Sequence, residues 1–292
     1  MKILGIDIGG TQIKYGVVEA SAVLECFQCD TPQGDYSLVL AKIIEITSDV
    51  LCQYADIDHI GVAVPGIVDI KNGVVRYANN LNWHNVRIGD DLSIATGKEV
   101  RVANDAHCAT LGEALYGAGK ECARVAMFTI GTGIGGGFVK DGKLETDLYG
   151  AMAYIFGHAT IEFEGEPCNC GRAGCLEVYT SATAISKRIQ ASNRSNLSVK
   201  ELFVAARNGD EFAVDVIDDF INKFSVGVAN IANILRPHVV VIGGGVADSA
   251  DLILPKVQDV LEREVYGYTF APVKVAKAEL GNTAGIIGAA SL

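Results

Sequence analysis

The chain has 292 residues, with 24 basic against 35 acidic side chains and a formal net charge of -11. That balance argues against general nucleic-acid binding, because nothing offsets phosphate repulsion. With 49% hydrophobic and 20% charged residues, it can bury the core of one large domain or two modest ones.

The opening stretch ILGIDIGGTQIKYGVVE predicts strand, Gly-Gly turn, strand. It lacks the pattern of a signal peptide, and no apolar run reaches the roughly 18 residues of a membrane span. A cytoplasmic address is expected, with the eight cysteines as thiols or metal ligands rather than disulfides. Residues 36–54 space Leu38, Ile43, Ile46 and Val50 as one helical face. HIGVAVPGIVDIKNGVV predicts a buried strand, a Pro65-Gly66 turn and a hairpin about Asn72-Gly73. EVRVANDA is a further strand, running into a helix from Ala106 to about Tyr116. Strands alternating with helices predict an α/β fold.

At 124–144, RVAMFTIGTGIGGGFVKDGKL returns to the opening pattern, either as an internal repeat or as an unrelated glycine-rich hairpin. Residues 198–236 read as predominantly helical. HVVVIGGGVAD is an apolar strand feeding three glycines, and NTAGIIGAASL predicts a small-residue helix. Any domain boundary falls in a compact hinge near 117–123.

Three glycine clusters follow apolar strands: Gly9-Gly10-Thr11, Gly131-Thr132-Gly133 and Gly243-Gly244-Gly245. Glycine lets backbone N–H groups surround an anion, Thr11 and Thr132 add hydroxyl donors, and Lys14 offers a cation. Neither a Walker A sequence nor a full Rossmann fingerprint is present. Tight hairpins also need glycine, but three clusters at strand ends favour a nucleotide. Asp105, in VAND, stands where α/β sheets expose active groups. Taken alone, the position suits an N-cap better than a general base. His158, Cys168, Cys170 and Cys175 offer one imidazole and three thiolates, a set for tetrahedral Zn²⁺. Gly171 and Gly174 would let the sulfurs converge, and four protein ligands leave no open position, so the metal would be structural. The alternative is a cluster of free thiols.

Together these motifs resemble the ROK family of sugar kinases and sugar-responsive repressors, in the actin-like ATPase superfamily. DIGGTQIK is similar to the first phosphate motif, TIGTGIGGG to the second, and VVIGGGVA to the adenosine-side motif. CNCGRAGCLE matches the C-x-C-G-x-x-G-C-x-E signature, while GVAVPGIVD and NNLNW fit sugar-side loops. The resemblance runs from Ile3 to about Gly288. It implies an α/β, two-domain actin-like ATPase (ribonuclease H-like) fold with a cleft between domains. Residues 1–118, completed by a helix at about 281–292, would form one domain, and 119–280, with the zinc-binding loop, the other.

The resemblance also implies roles. Asp105 would be the base on the sugar hydroxyl, with Asn80 and Asn104 on other hydroxyls. His158 would join the Zn²⁺ and shape the sugar pocket, and Glu177 would accept from the sugar. Asp7 would lie near Mg²⁺, and the three glycine clusters with Lys14 would hold ATP. A homodimer is the expected assembly. The implied activity is ATP-dependent phosphorylation of a hexose, glucose at its 6-hydroxyl, with N-acetylhexosamine or fructose as alternatives. A repressor would carry a helix-turn-helix ahead of the DIGGT strand, and that strand begins at Ile3. One departure stands out: the family's E-x-G-H reads Ile155-Phe156-Gly157-His158 here. Ile155 cannot accept a hydroxyl hydrogen bond, so altered sugar preference, weakened activity, replacement by the Tyr154 hydroxyl, or a pseudokinase are the alternatives.

Overall fold

The computed structural model describes residues 1–20, 22–147 and 154–292, which divide into two compact units. The first comprises Met1–Lys120, Gly142–Tyr154 and Leu280–Leu292; the second comprises Glu121–Asp141 and Ile155–Glu279. The described residues 142–147 and 154 therefore group with the first unit, whereas the resemblance implied that 119–280 forms the other domain.

In the first unit, β1 (Lys2–Ile8), β2 (Gln12–Glu19), β3 (Ala22–Asp30), β4 (Ile57–Val64) and β8 (Glu99–Asn104) form a sheet ordered β3-β2-β1-β4-β8. The β1–β2 and β2–β3 pairs are antiparallel; β1–β4 and β4–β8 are parallel. A smaller antiparallel sheet joins β5 (Ile67–Asp69), β6 (Val74–Ala78) and β7 (Trp83–Val86).

Helix α1 (Tyr36–Gln53) starts at Asp35, whose side chain accepts from Ser37 N. It buries Val39, Ile43, Ile46, Thr47 and Val50, while Leu38 is 50% exposed. The apolar stripe thus begins one residue later than predicted, at i, i+4, i+7 and i+11 from Val39. With α2 (Ile88–Thr96), it shares a core built on Leu4, Ile6, Ile60, Val62 and Trp83. The opposite face receives α3 (Asp105–Tyr116) and α9 (Ala284–Ala289). A Cβ at Gly61 would sit 1.9 Å from Ala289 O, and one at Gly288 1.6 Å from Cys108 O, so backbones touch directly here. The strand β11 (Lys143–Leu144) also belongs to this unit.

In the second unit, β9 (Arg124–Ile130), β10 (Ile134–Lys140), β12 (Val239–Gly243) and β13 (Lys274–Lys277) run in the order β10-β9-β12-β13. As with β2-β1-β4, an antiparallel hairpin is followed by a parallel neighbour, so the opening pattern does recur in topology. Helices α4 (Leu176–Thr180), α5 (Ala182–Gln190), α6 (Val199–Arg207), α7 (Glu211–Leu235) and α8 (Ala250–Glu264) complete it. Phe128 packs on Phe156 and Phe224, with ring centroids 4.8 and 5.3 Å apart. Among the described residues, no helix is long and apolar enough to cross a membrane.

Candidate active site

In the first unit, the parallel strands β1, β4 and β8 carry their C-terminal ends to one edge, where the candidate residues gather. Asp7 sits near the end of β1, in register with Lys14 on β2. Burial pushes the Asp7 carboxyl up to about 6, the Asp105 charge adds to this, and the Lys14 ammonium opposes it. The Gly9 turn closes with Gly9 N donating to Gln12 O at 2.8 Å. A Cβ at Gly9 would lie 2.9 Å from Gln12 O, so this glycine is required by the hairpin itself. A Cβ at Gly10 would be 3.6 Å from Asn80 Cβ, which places Asn80 beside the turn.

Thr31, unnoticed in sequence, braces this loop. Its hydroxyl donates to Gly9 O at 2.7 Å and its N–H to Thr11 O at 2.9 Å. It arrives from the end of β3, so no local pattern announces it.

The VAND segment separates two tasks that one residue had seemed to combine. Asn104 is the N-cap of α3, its Oδ1 accepting from Ala106 N and His107 N. Its Nδ2 donates to Gly66 O at 2.9 Å, and its amide also bonds Asp105. These bonds fix the corner between β8 and α3 on which Asp105 stands. Asp105, the first helical residue, accepts from Ala106 N at 2.8 Å. Burial raises its pKa, with the backbone N–H groups pulling the other way. A half-buried carboxylate of raised proton affinity, at the end of a parallel strand, is chemically suited to take a proton from a hydroxyl.

In the second unit, Gly131 N donates to Gly133 O at 3.0 Å to close the other glycine turn. Ala182 N and the Thr183 hydroxyl brace it through Gly131 O and Thr132 O, at 2.9 and 2.7 Å. Glu177 Oε2 accepts from Ile134 N at 2.8 Å, and a Cβ at Gly133 would come within 2.4 Å of it. The glutamate is thereby fixed against the loop. Gly244, at φ +83°, follows β12, and a Cβ there would strike Ile130 O at 2.4 Å. By contrast, a Cβ at Gly131 or Gly245 would meet nothing within 4 Å, and neither has a positive φ. Protein packing does not demand glycine at those two positions, whereas close approach of a ligand to the backbone would.

His158, Cys168, Cys170 and Cys175 offer ligand atoms within 4.8 Å of one another. Gly171 and Gly174 adopt φ +86° and +73°, and Cys168 N donates to Arg172 O at 2.8 Å, folding 168–172 into a tight turn. The Cys170 and Cys175 sulfurs are 3.6 Å apart, and Cys168 Sγ is 3.7 Å from His158 Nδ1. Hydrogen bonds from Arg172 draw the Cys170 thiol down to about 7, while burial pushes Cys175 up to about 12. Three soft sulfurs and an imidazole converging in this way fit Zn²⁺. Ile155, 47% exposed, stands at the entrance to the short 3₁₀ turn Phe156–His158, after Tyr154 at φ +65°.

Sequence comparison matches the ROK family over residues 3–292. The chain belongs to the ROK family. Its α/β architecture is the actin-like ATPase fold of ROK kinases. A ROK family glucokinase from Streptomyces griseus, solved in complex with glucose and AMPPNP, superposes with a TM-score of 0.84 at 31% identity, covering 99% of this chain and 98% of that one. A glucokinase from Thermotoga maritima is 34% identical over 100% of this chain and 97% of its own. An N-acetyl-D-glucosamine kinase from Haemophilus influenzae is 30% identical over 99% and 98%.

Proposed function

We propose that this ROK chain is a sugar kinase transferring the γ-phosphoryl group of ATP to a hexose, with glucose and its 6-hydroxyl as the primary acceptor. The observation that carries the reading is Asp105: a half-buried carboxylate of raised pKa, relieved of helix capping by Asn104. Relatives named glucokinase across the full chain support the same reaction. In it, Asp105 accepts the hydroxyl proton as the oxygen attacks the γ-phosphorus in line and the β–γ bridging bond breaks to leave ADP. Backbone N–H groups of Gly10, Thr11, Thr132, Gly133, Gly243, Gly244 and Gly245 would hold phosphate oxygens together with the Lys14 ammonium, while the Gly9 and Gly131 N–H groups close their turns onto Gln12 O and Gly133 O. Asp7 would lie near the Mg²⁺ that accompanies ATP, an ion that would offset the phosphate charge. Asn80, Asn104 and Glu177 would hold sugar hydroxyls, and Cys168, Cys170 and Cys175 with His158 would hold a structural Zn²⁺.

The two units are taken as the two domains, with α9 completing the first. The free thiols suit a reducing compartment, so a cytoplasmic enzyme, acting as a homodimer without nucleic-acid or membrane partners, completes the reading. A kinase for an N-acetylhexosamine is the second reading, supported by the Haemophilus relative and by the apolar Ile155.

ADP release measured over glucose, N-acetylglucosamine, N-acetylmannosamine, mannose and fructose distinguishes the two. Asp105→Ala is expected to lower kcat about 10²- to 10⁴-fold while sugar binding persists. Near-normal turnover by that variant overturns the mechanism.

A further inference from the structure

Beyond the residues already given roles, the most completely buried carboxylate among the described residues is Glu113, near the C-terminal end of α3. Its side chain spans two segments far apart in sequence. Oε2 accepts from Ala118 N at 2.9 Å, and Oε1 accepts from Leu280 N at 2.7 Å. Its main-chain carbonyl also accepts from Gly117 N at 3.1 Å and Gly119 N at 2.9 Å. Gly117 leaves room for this arrangement, since a Cβ there would lie 2.1 Å from Glu113 Oε2. These partners are special in chain order. The first unit ends its opening stretch at Lys120, and the chain re-enters it for the last time at Leu280. One carboxyl group therefore holds the outgoing and the returning segment together. The same helix begins with Asp105, eight residues and about 12 Å earlier along its axis.

We propose that Glu113 is a positioning residue for phosphoryl transfer, clamping the two crossing segments to the helix that carries Asp105. Aspartate, one methylene shorter, cannot reach both N–H groups without moving α3. Glutamine keeps the shape but presents one acceptor and one donor to two donors. The proposal rests on the kinase reading for its consequence, but its geometry is testable without turnover.

The test combines hydrogen–deuterium exchange with steady-state kinetics on the full chain, using glucose and ATP. In the unmutated protein, the Ala118 and Leu280 amides should open together, with protection agreeing within about tenfold. In Glu113→Gln, exchange at one or both should rise at least about tenfold, and kcat should fall by about tenfold with sugar KM changed less than about twofold. Gly117→Ala, which pushes a methyl group into the same space, should reproduce the split and serves in place of Glu113→Gln if that variant does not fold. Unequal protection of the two amides in the unmutated protein overturns the clamp. A folded variant with faster exchange but unchanged kcat overturns the positioning role and leaves a purely structural one. If the unmutated protein turns over none of the sugars, the kinase reading fails while the exchange arm still decides the clamp.

Discussion

Asp7 lies across from Lys14 on neighbouring strands, yet burial wins over that cation and holds its carboxyl up at about 6, against 3.8 unfolded. Below pH 3.8 both states bind the proton and nothing is lost. Between those values the unfolded chain ionises first, so stability falls as pH rises, by about 3 kcal/mol once pH exceeds 6. Asp7→Asn removes that loss. In urea titrations without nucleotide or Mg²⁺, the variant should exceed the unmutated protein in stability at pH 7.5 and converge with it near pH 4. An advantage that does not shrink on acidification would show that burial of charge at Asp7 is not its source. Ile155 calls for the reverse experiment. It is 47% exposed, so Ile155→Glu should fold, and a restored charge-assisted hydrogen bond of about 1.5–3 kcal/mol should lower sugar KM roughly ten- to a hundredfold. An unchanged KM across the hexose panel would remove Ile155 from the specificity account. At this scale the sequence was readable wherever chemistry was local: the cysteine spacing and Asp105 stand out within a few residues. Thr31, Thr183 and Glu113 did not, because each acts on backbone atoms more than 20 residues away or across a fold not yet built.

Among elements, α1 shows how far periodicity reaches. Its helix was evident, but two adjacent apolar residues, Leu38 and Val39, competed for the buried stripe, and only the packed core decides between them. Strand β3 escaped notice for a different reason. Most of its side chains are exposed at the sheet edge, so AVLECFQCD carries no clean alternation of apolar and polar residues. The cysteine loop is the opposite case, since its two positive-φ glycines are dictated by the turn they make. One zinc per chain is expected after metal-replete purification, measured by elemental analysis. Stripping it with a chelator should lower the melting temperature by roughly 5–10 °C. Protein purified in this way without stoichiometric metal would leave the four residues as thiols and an imidazole only.

For the whole molecule, the α/β class followed from alternating elements, whereas the division into units followed only from the whole-chain resemblance. The first unit is assembled from three stretches of chain: the family resemblance implied the return of the C-terminal helix, while nothing in residues 142–147 signals that they group with it. Such long-range closure is decided by backbone contact, as at Gly61 and Gly288, rather than by any sequence period. Ligand binding offers a test at this scale. Glucose at a hundred times its Kd should stabilise the folded protein by about 2.7 kcal/mol, read as a dose-dependent rise in melting temperature. A sugar that is phosphorylated in the ADP assay but gives no such rise would separate turnover from stable binding.

The close seating of α9 has a consequence for how the protein is made. Synthesis proceeds from the N-terminal to the C-terminal side, so α9 leaves the ribosome long after β1, a strand of the sheet that it covers. Every segment of the second unit, ending at Glu279, precedes that helix. The unit that comes second in chain order can therefore finish folding first. Until α9 emerges, the other sheet presents Gly5, Gly61 and Ala63 as an uncovered groove in the nascent protein. A chain that stops after Glu279 and before Ala284 should thus yield one finished half and one that is open to chaperones and proteases.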